Sequence, residues 1–172
     1  MDLRIVKTRK ISRQAFLELR SQDPLERVKV SRLCQLAEIN KTTFYKHYQD
    51  VYALSEEIEN EFIDAILTSF DRINDLFSDP EEFMKGLYWA FKSHEMEITT
   101  LFSGRMNILI DKVEKQLIAH YPSIRAMPEK EIALSFLILG ASHVLSESRY
   151  DEAVLLDILP GVARQVLDFI HS

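Results

Sequence analysis

Residues Val30 to Tyr48 read VSRLCQLAEINKTTFYKHY, and this stretch decides the fold. It divides into two short helices joined by a tight turn. The first runs from Val30 to Ala37, with Leu33, Leu36 and Ala37 on one side. Glu38-Ile39-Asn40 makes the turn. Asn40 is a good cap for the second helix, because its side chain can accept a hydrogen bond from the backbone N–H of Thr42 or Thr43. Phe44 and Tyr48, four residues apart, give that helix one apolar edge. Lys41, Thr42, Thr43, Tyr45, Lys46 and His47 occupy its other faces, and no carboxylate lies between Asn40 and Gln49. A short helix held by two aromatics, turning donors and cations outward, suits a DNA major groove. A solvated helical hairpin would explain the same pattern in isolation. The flanks favour the groove: Arg9, Lys10 and Arg13 sit on a helix just upstream, and a long apolar-periodic segment follows Asp50.

The run Leu33-Cys34-Gln35-Leu36-Ala37-Glu38-Ile39-Asn40-Lys41-Thr42-Thr43-Phe44-Tyr45-Lys46-His47-Tyr48 resembles the DNA-binding head of the TetR family of bacterial regulators. In that family a basic first helix precedes an apolar-Ala-x-x-Ala-Gly-Val-Ser type turn. Thr-Leu-Tyr-x-His-Phe and a capped fourth helix come next. The resemblance covers about the first third of the chain. It implies an all-α fold: a three-helix helix-turn-helix head over 1–54, joined by a long helix 4 to a helical body over 55–172 that binds an effector and dimerises through its last two helices. It also implies a homodimeric repressor on a palindromic double-stranded operator, occluding polymerase and released by a small apolar effector. Lys41, Thr42, Thr43, Tyr45, Lys46 and His47 would face the groove and its phosphates. Arg9, Lys10, Lys29, Ser31 and Arg32 would clamp the backbone. Two positions depart from the family pattern. Glu38 replaces the turn glycine, at a cost on the order of 1 kcal/mol if its conformation is left-handed. Val51 replaces the lysine common at the start of helix 4, so one phosphate contact is expected to be missing and Val51→Lys to restore it.

The formal net charge of −6 argues against wholesale nucleic-acid binding, but the charge is unevenly spread. Residues 1–54 hold 11 Lys+Arg against 6 Asp+Glu, and residues 55–172 hold 10 against 21. A basic head on an acidic body confines DNA contact to the head. A lone cysteine, Cys34, rules out an intrachain disulfide, fits a reducing cytosol, and is expected to fill a small interior gap. No apolar run approaches the ~20 residues of a membrane span. MDLRIVKTRK lacks the apolar core of a secretion signal, so a cytoplasmic protein is expected.

The remaining pattern is helical throughout. Helix 1 is expected over about Thr8 to Arg20, capped by Thr8, with Ile11, Ala15, Phe16 and Leu19 inward. Helix 4 is expected over Val51 to Phe77, with Leu54, Ile58, Phe62, Ile66, Phe70, Ile73 and Phe77 along one stripe spanning roughly 40 Å. Further helices are expected at about 80–93, 96–102, 105–120, 128–148 and 152–170. Gly86 to Phe91 and Ile132 to Leu145 are apolar nearly all round and are expected to be central. Pro160-Gly161 is expected to kink or split the last helix. That helix and the one before it carry more apolar surface than one body can cover, which also favours a dimer.

No catalytic, metal or cofactor constellation stands out. GxGxxG and GxxxxGK[ST] are absent. His143 and Glu147 share a helix face and could both meet a metal, although a histidine hydrogen-bonded to glutamate is far more common. Tyr88, Trp89, Phe91, Phe102, Met106, Phe136 and His143 come from different body helices and could line a mostly apolar effector pocket. A second function class fits the same features: a protein-interaction or co-activator module whose acidic helical body binds a partner protein.

Overall fold

The computed structural model describes residues 3–69, 75–120, 122–147 and 149–171, and every regular element among them is helical. In chain order these are α1 (Leu3–Arg20), a 3-10 turn (Leu25–Arg27), α2 (Val30–Leu36), α3 (Lys41–Tyr45), α4 (Val51–Ser69) and α5 (Asp75–Ser78). Then follow α6 (Pro80–Ser93), α7 (Glu95–Phe102), α8 (Met106–His120), α9 (Pro122–Arg125), α10 (Pro128–Ser146) and α11 (Glu152–His171). No helix among the described residues is long and apolar enough to cross a membrane.

Helix α1 starts well before Thr8, the expected cap. Thr8 lies inside the helix, where its hydroxyl donates to the Arg4 carbonyl at 2.9 Å. The apolar pattern marked only the packed part: Ala15, Phe16 and Leu19 are buried, while Leu3, Ile5 and Val6 are exposed. The α2–α3 turn closes with the Ile39 N–H donating to the Cys34 carbonyl at 3.0 Å. Glu38 makes that closure at φ +53°, a left-handed conformation. Cys34 is buried, and burial pushes its thiol pKa up, which suits packing rather than reactivity. Asp50 caps α4, its Oδ1 accepting the Ala53 N–H at 2.8 Å.

The chain divides into two compact units. The first comprises Met1–Phe62 with Met96–Arg105, so nearly all of α7 belongs with the head, and the division along α4 falls after Phe62 rather than after Leu54. Within this unit Ile98, Leu101 and Phe102 of α7 are buried, and the Phe62 and Phe102 rings lie 6.4 Å apart. Two arginines secure the α7 end. Arg20 is buried and donates from Nη2 to the Leu101 carbonyl at 3.0 Å and from Nη1 to the Asp23 carbonyl at 2.6 Å. Arg105 pairs at 2.9 Å with the buried Glu59, which also accepts from the Ser55 hydroxyl at 2.7 Å. Burial first, and Arg105 second, push the Arg20 guanidinium pKa below its ordinary value.

The second unit comprises Ile63–Glu95 and Met106–Ser172. Its core gathers Leu76, Phe83, Met84, Leu117, Leu134, Leu137, Ile138 and Leu167. α6 packs on α11, and α10 on α8 and α11. Asp79 and Pro80 start α6 as a cap and a first-position proline. The centre of α6 differs from expectation: Phe83 and Met84 are buried, whereas of Gly86 to Phe91 only Tyr88 is, and Trp89 is exposed. In α10 likewise only one face is central, leaving Ile132, Phe136 and Leu139 exposed. α11 runs through Pro160 without splitting. Pro160, Ala163 and Leu167 recur at helical spacing on its buried side, so packing there offsets the backbone bond that proline cannot make. The expected helix over 51–77 is seen as α4 and α5. Residues 70–74, including Phe70 and Ile73, lie outside the described residues.

The left-handed Glu38 sets the first prediction. Glycine occupies that conformation without a Cβ penalty. Glu38→Gly should raise the unfolding free energy of the head by about 0.5–1 kcal/mol in urea titrations. A loss of stability would show that the Glu38 side chain makes a compensating contact.

Candidate nucleic-acid interface

The proposed reading helix, α3, is only five residues long, and three devices hold it. Asn40 Oδ1 accepts the Thr43 N–H at 2.7 Å and the Thr43 hydroxyl at 2.8 Å. Phe44 is fully buried, with its ring 5.6 Å from that of Tyr48. Tyr48 is buried too, and its hydroxyl donates to Glu57 Oε1 at 3.0 Å. Burial pushes the Tyr48 phenol pKa up, and the hydrogen bond to Glu57 adds to the shift while Arg9 opposes it. Ordinary pH therefore leaves the phenol neutral and able to donate.

With Phe44 and Tyr48 turned inward, Lys41, Thr42, Tyr45 and Lys46 are exposed together on the outside of α3 and its C-cap. Tyr45 packs edge-on against Phe44 at 5.6 Å, which orients its ring while leaving it 55% exposed. Thr43 and His47 are half-buried. The Thr43 hydroxyl is committed to the Asn40 cap, so its methyl is the part left for a base edge. The His47 ring lies 6.4 Å from the Tyr48 ring. Lys10, Lys29 and Ser31 are exposed on α1, at the α2 N-cap and in the first turn of α2.

The two arginines expected to clamp the backbone are engaged within the head. Arg9 pairs with Glu57, and Arg32 pairs with Asp23 and reaches Gln22 at 3.4 Å. The hydrogen bond with Tyr48, and then the charge of Glu57, hold the Arg9 pKa above its ordinary value. Arg13 also approaches Glu57, at 3.5 Å, and pairs with Glu61 at 2.5 Å. Glu57 is thus a hub joining α1, α4 and the residue that ends the reading segment. Sequence reasoning missed it, since nothing in its spacing sets it apart from Glu56 or Glu61.

Of the seven side chains expected to line an effector pocket, one lies in the first unit, and the six in the second do not share one space there. Phe102 is fully buried in the first unit. Within the second unit Tyr88 and Phe91 border a cleft of about 280 Å³ with Lys92, Glu95, Tyr150 and Glu152. Phe136 borders a different, apolar groove of about 480 Å³ between α10 and α11. Trp89 and His143 are exposed, Met106 is half-buried, and none of the three lines either space. Among the described residues no group of three or more His, Cys, Asp or Glu side chains is placed to hold a metal ion, and Glu147 pairs with Arg149 at 2.6 Å.

No protein-family model matches the chain, and no curated protein matches it. Among solved structures it is similar to a dihydroxyacetone kinase operon activator, DhaS, at 17% sequence identity and a TM-score of 0.42, over 95% of this chain and 94% of that one.

Val51 corrects one expectation. It is 6% exposed and closes the head core beside Leu54. A lysine there must either bury its stem or pull away from the core. Val51→Lys should therefore lower the stability of the head by about 1–3 kcal/mol, readable by urea unfolding, rather than add a phosphate contact.

Proposed function

We propose that the chain is a DNA-binding transcriptional regulator of the TetR type, with α3 as its reading helix. One observation carries this reading. Phe44 of α3 and Tyr48 just beyond it are locked in the core, and the opposite side presents Lys41, Thr42, Tyr45 and Lys46 with no carboxylate among them. Phosphate contacts would come from Lys10, Lys29, Ser31, Lys41 and His47, and base contacts from Tyr45, Lys46 and the Thr43 methyl. Repression, and release by a small apolar effector, come with the family resemblance alone. The dispersed aromatic set lends the effector no support, so the reading rests on the head.

A homodimer fits the second unit. Ile132, Phe136 and Leu139 of α10 and Val154, Ile158 and Val162 of α11 are all large, apolar and exposed. Phe136, Val154, Ile158 and Val162 line the apolar groove, and a second copy laid against it would cover them and supply two reading helices for a palindromic operator. The same face supports the alternative reading, an interaction module that binds a different protein. Sedimentation separates them. The chain alone should be dimeric at micromolar concentration, and Ile158→Glu with Val162→Glu should yield folded monomers. A monomeric unmodified chain would favour the alternative.

The DNA reading is tested by selecting duplexes from a random pool and footprinting the winners. Lys46→Ala should cost ~1–3 kcal/mol on the selected site and relax preference at one base pair per half-site. If it weakens selected and scrambled duplexes by the same factor, Lys46 contacts phosphate and the assignment of the reading face is wrong. Failure to enrich any sequence would remove the regulator reading altogether.

A further inference from the structure

We propose that Glu57 and Asp23 set how tightly the head holds the DNA backbone: they keep Arg9 and Arg32 in internal pairs and so hold its affinity for DNA of every sequence low. The inference rests on the DNA-binding reading and adds which cations are withheld from the contact.

Arginine is the strongest phosphate ligand a protein has, because its planar fork meets two oxygens at once. The basic head places arginines where such a clamp is expected. Arg32 lies in the first turn of α2 beside the exposed Ser31. Arg9 lies on α1 in a network with Tyr48, the residue after His47. Both guanidinium groups nevertheless meet carboxylates of the head. Glu57 is half-buried and anchored from behind, because its other oxygen accepts from the buried Tyr48 hydroxyl at 3.0 Å. Asp23 is half-buried in the break after α1 and takes Arg32. The surrounding lysines differ. Lys10, Lys29, Lys41 and Lys46 are exposed and form no ion pair among the described residues. The head therefore offers DNA flexible point charges and keeps two of its forks occupied.

Non-specific binding is almost entirely a matter of phosphate neutralisation, so a withheld cation lowers it directly. Each withheld arginine removes one phosphate contact from every sequence alike. Base contacts along α3 are untouched, so specific and non-specific affinity fall by the same factor, and at a given protein concentration only sequences that also gain base contacts stay occupied. Arg9 and Arg32 remain 43% and 52% exposed, so a carboxylate turned into an amide would release each toward solvent and DNA.

The test uses the full chain and a 30-base-pair random-sequence duplex, with affinity measured over a salt series. Glu57→Gln keeps an acceptor for Tyr48 but drops the charge. It should bind this duplex roughly 3- to 10-fold more tightly at low salt and steepen the log–log salt slope by ~0.9, the value for one added phosphate contact. Asp23→Asn should do the same through Arg32. Glu56→Gln makes the same charge change one residue away at an exposed side chain without a partner, and should give a clearly smaller gain. The gain of Glu57→Gln should vanish in an Arg9→Ala background, as a double-mutant cycle requires. A purely structural Glu57 would show lost binding rather than gained. The proposal is overturned if Glu57→Gln and Asp23→Asn gain no more than Glu56→Gln, or if the Glu57→Gln gain survives without Arg9. If Glu57→Gln does not fold, the Asp23–Arg32 arm decides. Should neither the unmodified chain nor any variant bind the duplex at low salt, the DNA-binding reading itself fails.

Discussion

A five-residue helix has no stability of its own, since the first turn must be nucleated before any backbone bond is gained. α3 exists because Phe44 is fully buried and Asn40 caps the first turn. The rest of the head is arranged around that burial. Leu33 of α2, Phe16 of α1 and Leu54 of α4 are likewise fully buried, and Tyr48 adds a second aromatic to the same edge of α3. The outward face of α3 is then left free to carry whatever side chains function requires, because none of them is needed for folding. A helix that stood by its own propensity would not need a polar outer face. This one can be cationic only because its inner edge is apolar.

Buried charge joins α7 to the head. Arg20 and Glu59 are both nearly inaccessible, and a buried charge persists only when it is paired or hydrogen-bonded. Arg20 donates to the Leu101 carbonyl near the end of α7, and Arg105 pairs with Glu59. Removing either partner would strand a charge in the interior, so the cluster specifies where the α7 end must sit more than it adds net stability. Position is the more valuable contribution here, because α7 is remote in sequence from α1 and α4.

The parts of the fold that could be read from the chain are those where one residue type serves one physical role. Asn40 and Asp50 as caps, Pro80 at the start of α6, the Glu38 turn and the Phe44–Tyr48 edge are all local, and each lies where its chemistry puts it. The failures have a common cause. An apolar run does not say which of its faces has a neighbour, so its pattern puts Trp89 and Phe136 in the interior although both are exposed. Thr8 misled because the unpacked start of α1 has no apolar periodicity to mark it. Ion pairs between distant segments leave no trace in spacing, which is why Arg9 and Arg32 read as free cations and Glu57 went unnoticed. Within the second unit the aromatics show the same ambiguity: Tyr88 and Phe91 border one cleft and Phe136 another, because a shared composition does not fix a shared cavity.

The exposed faces of α10 and α11 follow from one constraint. A helix in a single layer buries one stripe and leaves the opposite one to water. α10 buries Leu134, Leu137, Ile138, Ala141 and Leu145, yet its other side carries Ile132, Phe136 and Leu139. α11 buries Ala163 and Leu167 and exposes Val154, Ile158, Val162 and Phe169. Two adjacent helices that each keep a second apolar stripe present a patch too continuous to be scattered surface apolarity. A self-complementary patch pairs most simply about a two-fold axis, because each stripe then meets its own counterpart. That axis would duplicate everything else in the chain, the reading helix included. On the proposed DNA-binding reading, a head whose arginines are withheld would gain little from one copy of α3. Two copies fixed by one axis would add their base contacts, so weak phosphate contact per head and an apolar body face are consistent parts of one design.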